Sequence, residues 1–154
     1  MTNRPDKLDT DLKRPGRLDV KIPLFYPQSG LERAAVVLSV LRRYAPAAAQ
    51  ADSGQAWLDD VFETSEEYSN AELELLTLLA LEFARRRSAP ISREDFESAI
   101  KDFLRTGDQR MGDYMSLLAV SESSRRSLLP EKYQDLTSAQ LSEQLRLLRS
   151  DLRL

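Results

Sequence analysis

Residues 73–84, "LELLTLLALEFA", carry the densest apolar pattern of the chain. The pattern predicts a helix from about residue 71 to residue 87 whose apolar side chains point almost all round. Such a helix is typical of the centre of a bundle, because every face then packs on a neighbour. The basic run "RRR" at residues 85–87 suits a helix C-terminus. We therefore expect a mainly α fold with this helix at its centre.

Capping boxes mark helix starts on both sides of this stretch. In each box a Ser or Thr is followed three residues later by an acid or Gln, and both side chains can satisfy free N–H groups of the first turn. The four boxes are Ser29/Glu32, Ser69/Glu72, Ser92/Asp95 and Thr137/Gln140. Helices are therefore predicted after Ser29, ending by Pro46, and after Ser92, with a short helix at residues 55–62 between them. With the central helix they form a predicted four-helix bundle.

Two more helices are predicted towards the end of the chain. One covers residues 114–129 and is stopped by Pro130; the other follows Thr137 and places leucines at 141, 145, 148 and 152. Two heptads are too few for an independent coiled coil. Docking on the bundle and pairing with another chain both remain open for this helix.

The stretch "GDQRMGDY", residues 107–114, spaces two glycines as a phosphate-binding loop does. Asp113 and Tyr114 stand where such a loop requires Lys and Ser/Thr, and an acid would repel phosphate. The stretch is predicted to be a plain loop between helices.

Composition excludes several classes of function. The 154 residues include no cysteine and no histidine, which removes disulfides, thiol and histidine catalysis and the usual zinc ligands. The formal net charge of −3 gives no overall attraction to nucleic acid, so a nucleic-acid partner is not expected. No run approaches the roughly 20 apolar residues of a membrane helix, and the first residues lack a signal-peptide core. We expect a cytoplasmic protein without a membrane segment.

The N-terminal residues have a different character. They are rich in charge and proline, and Arg14 and Arg17 flank a Pro-Gly pair. Residues 20–27, "VKIPLFYP", alternate apolar side chains and predict a short strand, which Pro23 would confine to a sheet edge.

Residues 2–22, "TNRPDKLDTDLKRPGRLDVKI", resemble the second region of homology of AAA+ ATPases, which runs Thr-Asn-Arg-Pro-Asp, Leu-Asp, then Arg-Pro-Gly-Arg with an apolar residue and Asp. "YSNAELELL" at 68–76 and "ISREDFESAI" at 91–100 are similar, more weakly, to the helical lid subdomain of that family. The resemblance implies three parts: residues 1–27 as the tail of the large α/β subdomain, 28–105 as the lid, and 106–154 as a C-terminal helical extension.

The resemblance also implies functional residues. Asn3 stands at the sensor-1 position, whose amide orients the water that attacks the γ-phosphate. Arg14 and Arg17 stand at the arginine-finger positions, which in a ring reach the neighbouring subunit's nucleotide. Asn70 and Ala71 stand where the lid contacts the nucleotide, although Asn70 replaces the family's glycine.

Blander interpretations stay open for these residues. Arg14 and Arg17 could cap a surface turn or pair with Asp11 and Asp19. Asn70 and Ala71 could simply begin a helix and make no contact with a nucleotide.

The implied function is that of the C-terminal part of an ATPase that hydrolyses ATP, with Mg²⁺, in a homo-oligomeric ring, expected to be a hexamer, and remodels a macromolecule. The sequence contains no phosphate-binding loop and no strand that ends in paired acids. We therefore expect a fragment that by itself holds no cofactor or metal and hydrolyses no ATP. The alternative is a non-catalytic helical adaptor with a vestigial AAA+ motif, which would bind its partner through residues 114–154.

Overall fold

The computed structural model describes residues 5–14, 16–49, 57–63, 68–105 and 108–153. The structure is mainly α-helical, which confirms the expected fold class. It divides into two compact units. The continuous unit comprises residues 26–105, and the discontinuous unit joins the residues up to 25 to those from 106 onward.

The continuous unit is built around its longest helix. Its helices are α1 (Gly30–Tyr44), α2 (Pro46–Ala49), α3 (Leu58–Val61), α4 (Asn70–Arg86) and α5 (Arg93–Asp102). Helix α4 packs on both α1 and α5, while the short α3 contacts α1 and α5. The central position that the sequence predicts for the helix after Ser69 is therefore observed.

Aromatic side chains fill the centre of this unit. Phe62 and Phe96 are completely buried, and their rings meet edge to face with centroids 5.8 Å apart. Trp57, the one tryptophan of the chain, lies 5.6 Å from Phe96 on another side. Since aromatic side chains bury more area than most others, these contacts anchor α3 although it is only one turn long.

One face of α4 departs from the predicted all-round burial. Leu75 and Leu78 are 55% and 36% exposed. The reason is that α1 and α5 cover only part of the circumference of α4. Leu75 and Leu78 lie on the part that neither helix covers.

A buried arginine ties the entry of this unit to the end of α3. Arg33 is 4% exposed, and its guanidinium donates to the carbonyl oxygens of Phe62 at 2.7 Å and Pro27 at 3.2 Å. Because a buried charge needs polar partners, these bonds fix the backbone at both places.

The predicted capping boxes form in most cases. Both halves of the box are present at Ser69, Ser92 and Thr137. At Ser29 the hydroxyl accepts the N–H of Glu32 at 3.2 Å, but the Glu32 carboxylate accepts the N–H of Gln28 at 2.7 Å instead of that of Ser29. Helix α1 therefore begins where predicted, but the Glu32 carboxylate accepts its hydrogen bond from residue 28 instead of residue 29.

The discontinuous unit centres on a helix pair. It contains α6 (Gln109–Glu122), α7 (Glu131–Gln134) and α8 (Ser138–Asp151), with 3₁₀ turns at Pro5–Lys7, Thr10–Lys13 and Arg126–Leu128. Helix α8 packs on α6, and leucines 141, 145, 148 and 152 are half-buried. Docking within the chain therefore accounts for the leucine spacing.

Two boundaries of α6 differ from the prediction. The stretch predicted as a plain loop is helical from Gln109, because Asp108 caps the helix by accepting the N–H of Arg110 at 3.0 Å. The helix ends at Glu122 rather than near residue 129. There the hydroxyl of Ser123 donates to the carbonyl of Arg125, and such local bonds compete with the helical pattern.

Residues 20–27 belong to no strand or helix. The described part of the chain offers no neighbouring strand to pair with them. The N–H and carbonyl of Lys21 are instead bonded to Ser124, and Pro23 has no N–H to donate. The predicted short strand is therefore wrong, and Val20, Ile22 and Leu24 are exposed.

Gly30 offers a test of the packing between α1 and α3. A Cβ at this position would lie 2.6 Å from the carbonyl oxygen of Asp59 and against the Glu63 carboxylate. We expect Gly30→Ala to lower the free energy of unfolding by about 1–3 kcal/mol, although Ala is normally the better helix residue. Urea unfolding followed by Trp57 fluorescence measures the change.

The control is Ser39→Ala, at an exposed site in the middle of the same helix. It should leave the stability unchanged or slightly raised. A Gly30→Ala protein as stable as the wild type would contradict the close approach.

Candidate functional site

Arg14 and Arg17 lie at the two ends of one tight turn. The carbonyl of Arg14 accepts the N–H of Arg17 at 3.3 Å. Gly16, the third residue of this turn, has φ +88°, which is the value that a type II turn needs at that position. The sequence Arg-Pro-Gly-Arg thus places two arginines at the ends of one short turn.

The side chains of both arginines extend into solvent. Arg14 pairs with Asp11 at 3.1 Å, but the two side chains are 75% and 55% exposed, so the pair contributes little stability. Arg17 is exposed, and no ion-pair partner for it occurs among the described residues. Asp19 does not pair with Arg17, since its carboxylate accepts the N–H of Gly16 at 2.6 Å.

The last residue of α6 holds the chain on both sides of this turn. One carboxylate oxygen of Glu122 is bonded to the ammonium of Lys13, and the other lies 2.9 Å from the ammonium of Lys21. The Glu122 side chain is only 23% exposed. Burial opposes its charge, but the two ammonium groups hold the pKa of Glu122 below its usual value.

Ser124 adds three hydrogen bonds on the downstream side. Its hydroxyl accepts the N–H of Lys21 at 2.7 Å and donates to the carbonyl of Asp19 at 3.0 Å. Its own N–H donates to the carbonyl of Lys21 at 3.2 Å. The segment that leaves the turn is therefore bonded along its backbone to the residues just after α6.

Sequence reasoning did not find Glu122 or Ser124. They lie 109 and 103 residues from the lysines that they contact. No local spacing connects positions so far apart, and their section of the chain matches no known motif. The one sequence signal that could have indicated this contact is a charge pattern. Two lysines lie on either side of the turn, and a single acid lies at the end of α6.

The other predicted site residues lie elsewhere. Asn3 is outside the described residues. Asn70 and Ala71 are the first residues of α4 and both are exposed. They belong to the continuous unit, whereas Arg14 and Arg17 belong to the discontinuous unit.

The start of α4 is fixed by ionic contacts. Glu72, part of the capping box with Ser69, lies 3.3 Å from the guanidinium of Arg105. That guanidinium also stands over the ring of Tyr68, 5.1 Å from its centroid. Burial opposes ionisation of Glu72, but hydrogen bonds from Ser69 and Arg105 hold its pKa below the usual value. The backbone around Asn70 is therefore held by side chains on both sides.

The described ranges also bear on two other classes of site. No group of three or more acidic side chains there is arranged to hold a metal ion. None of the helices in those ranges is long and apolar enough to cross a membrane.

Comparison with known proteins then identifies the family. The chain is 39% identical over 110 residues to an ATP-dependent zinc metalloprotease FtsH of Marinobacter nauticus, which covers 71% of this chain and 16% of that protein. It is 36% identical over 108 residues to a 26S proteasome regulatory subunit 8 homolog of Schizosaccharomyces pombe, covering 70% of this chain and 25% of that protein. The chain belongs to the AAA+ ATPase family.

A third AAA+ relative is similar over a comparable length. The cell division cycle protein 48 homolog of Archaeoglobus fulgidus is 31% identical over 119 residues, covering 66% of this chain and 15% of that protein. The chain thus spans about a quarter or less of the length of each of these AAA+ relatives. No family model matches the chain, and no solved structure matches it significantly.

Substitutions of Gly16 test the turn that carries the arginines. No heavy atom lies within 4 Å of a Cβ built at this position, so only the positive φ resists a side chain. We expect Gly16→Ala to destabilise the turn by about 1–2 kcal/mol, and Gly16→Asn by clearly less, because Asn tolerates the left-handed region. Native-state hydrogen exchange of the amides of residues 17–21 measures both; equal effects of Ala and Asn would contradict the turn geometry.

The Glu72–Arg105 contact predicts a pH dependence. Gln keeps the capping box, so Glu72→Gln removes mainly the ionic contact, and at pH 6–7 it should lower stability by about 0.5–1 kcal/mol. Because the pKa of Glu72 is lower in the folded chain than in the unfolded chain, this stabilisation is present above the unfolded value and is lost as pH falls through the folded value.

The difference between wild type and Glu72→Gln should therefore shrink steadily as the pH is lowered into the acid range, as measured by urea unfolding with Trp57 fluorescence. Asp102→Asn, at an exposed carboxyl at the end of α5, is the control and should not reproduce this pattern. A pH-independent difference would show that the charge of Glu72 is not responsible.

Proposed function

We propose that this chain is the C-terminal part of an AAA+ ATPase that hydrolyses ATP in a ring, and that Arg14 and Arg17 contact the nucleotide bound by a neighbouring subunit. The observation that carries the proposal is the turn that presents both guanidinium groups to solvent, together with membership of the family. We propose that the ring is a homo-hexamer in the cytoplasm and that it remodels a macromolecule.

The arginines fit a phosphate ligand chemically. A guanidinium offers several N–H donors in a planar fork and keeps its charge at every physiological pH. Arg17 has no competing partner in the described part of the chain, and the exposed pair of Arg14 with Asp11 is weak enough to exchange for a phosphate oxygen. Neither side chain would need to leave a buried position to reach a neighbour.

The chemical effect follows from charge. During phosphoryl transfer, negative charge spreads over the oxygens of the γ-phosphoryl group, and a guanidinium placed against them lowers the barrier. The Mg²⁺ that accompanies ATP would supply further charge neutralisation when bound. In this chain the arginines bind and orient, while the contacts of Glu122 and Ser124 keep their backbone in place.

The remaining site residues keep a smaller role in the proposal. Asn3 is proposed to orient the attacking water, on the family resemblance alone. Asn70 and Ala71 are proposed to lie against the nucleotide from the lid; their exposure at the start of a firmly capped helix agrees with this. Asn70 replaces the family's glycine, so the resemblance supports this contact less than it supports the contact of the arginines.

Arginine substitutions test the proposal. In the intact polypeptide that carries these residues, Arg14→Ala and Arg17→Ala should each lower kcat for ATP hydrolysis by about 10³-fold, within the range of other arginine fingers, while the Kd for ATP changes little. Steady-state ATPase assays and equilibrium nucleotide binding measure the two quantities. Arg42→Ala, at an exposed arginine near the end of α1, is the control and should leave both unchanged.

Mixed assemblies test the action between subunits. A variant without both arginines and a variant that cannot bind nucleotide should each be inactive, and mixing them should restore part of the activity. Full activity of the double arginine variant would instead show that the two arginines play no part in hydrolysis. Lack of ATPase activity in the wild type would favour the non-catalytic adaptor, whose partner surface would be residues 114–154.

A further inference from the structure

We infer that Glu122 and Ser124, at the end of α6, are positioning residues that set the geometry of the arginine turn. The inference rests on the proposed function, because it assigns to the C-terminal helices a part in the use of Arg14 and Arg17. Neither residue lies in the section of the chain that resembles the AAA+ pattern.

The ionic contacts of Glu122 lie on both sides of the arginine turn. Lys13 directly precedes Arg14, and Lys21 follows Arg17 by four residues. Each lysine uses a different carboxylate oxygen of Glu122. One acid therefore fixes the chain both where it enters the turn and after it leaves.

Ser124 also bonds to the backbone after the turn. The bonds from Ser124 to Asp19 and Lys21 satisfy two carbonyl groups and one N–H of a segment that has no sheet partner. Asp19 in turn accepts the N–H of Gly16 inside the turn. A continuous path of hydrogen bonds thus runs from the end of α6 to the arginine turn.

Apolar contacts close to the turn are few among the described residues. Leu18, Val20 and Ile22 are 43%, 64% and 66% exposed, so apolar burial holds the segment after the turn only weakly. The contact of Pro5–Lys7 with α6 lies well upstream of Arg14, and the ring contact of Phe25 with Tyr133 lies downstream of Lys21. In the described part of the chain, the polar contacts to Glu122 and Ser124 are therefore the constraints nearest to the turn.

Position matters for a guanidinium that acts on a transition state. A displacement of about 1 Å can cost about 10²-fold in rate even when no reacting group changes. Loss of the Glu122 contacts would leave both arginines present and charged but no longer held in one place. The expected signature is a lower kcat with unchanged KM.

The structural part of the inference is tested on the 154-residue chain alone. In Glu122→Gln and in Ser124→Ala, amide hydrogen exchange at residues 16–21 should accelerate by about 5- to 10-fold, as expected for loss of hydrogen bonds worth about 1 kcal/mol. Exchange in α8 and the thermal midpoint should change little. Controls on the same unit are Glu131→Gln and Ser127→Ala, at exposed side chains.

Unchanged exchange at residues 16–21 in both variants would overturn the inference whatever the ATPase does. An equal acceleration throughout α6 and α8 would overturn it too, since Glu122 and Ser124 would then support the whole unit rather than the turn. Ser124→Ala keeps every charge, so it decides the matter if Glu122→Gln fails to fold.

The functional part uses a double-mutant cycle in the intact polypeptide. Glu122→Gln should lower kcat about 10-fold in the wild type and cause no further loss in the Arg14→Ala/Arg17→Ala background, because it acts only through the arginines. An equal loss in both backgrounds would overturn the positioning role. If the arginine variants themselves keep full activity, the proposed function fails, while the exchange experiment still reports whether α6 holds the turn.

Discussion

The carboxylate of Glu122 is the constraint on which the placement of the N-terminal segment depends, because it joins residues near the start of the chain to a helix near its end. It faces two lysines at once, and its charge is maintained against partial burial by both of them. Bringing such distant residues together costs chain entropy that grows only slowly with their separation. A few ionic and backbone contacts can therefore hold this segment on α6, while the packing of α8 on α6 holds the helices of the unit together.

The continuous unit depends on interactions between residues that are close in sequence, and the sequence predicts its helices well. Ser29, Ser69 and Ser92 begin helices where their capping patterns indicate, and the apolar run after Ser69 becomes the central helix. These signals work because they involve residues three or four apart, which a helix brings together without help from the rest of the fold. The exposed Leu75 and Leu78 show the limit, since a pattern records which side chains are apolar but not how many neighbours will cover them.

The residues of the candidate site also divide into those that local sequence predicts and those that it does not. Arg14 and Arg17 are predictable because Arg-Pro-Gly-Arg specifies a turn by itself and matches a family pattern. Glu122 and Ser124 are not, since their significance exists only after the two ends of the chain have met. The mistaken strand at residues 20–27 has the same cause: alternation records which side chains are apolar, but which groups receive the backbone hydrogen bonds is decided elsewhere in the chain.

The separation of Lys13 from Glu122 has a consequence for biosynthesis. The arginine turn leaves the ribosome first, and the carboxylate that holds it is 109 residues behind. At a translation rate of about 5–20 residues per second, the turn waits roughly 5–20 s for its anchor. The continuous unit, made in the interval, has all its partners at hand and can fold during that time. The N–H and carbonyl of Lys21 have no Ser124 to bond to during that time, so this backbone is open to a chaperone only while the chain is being made.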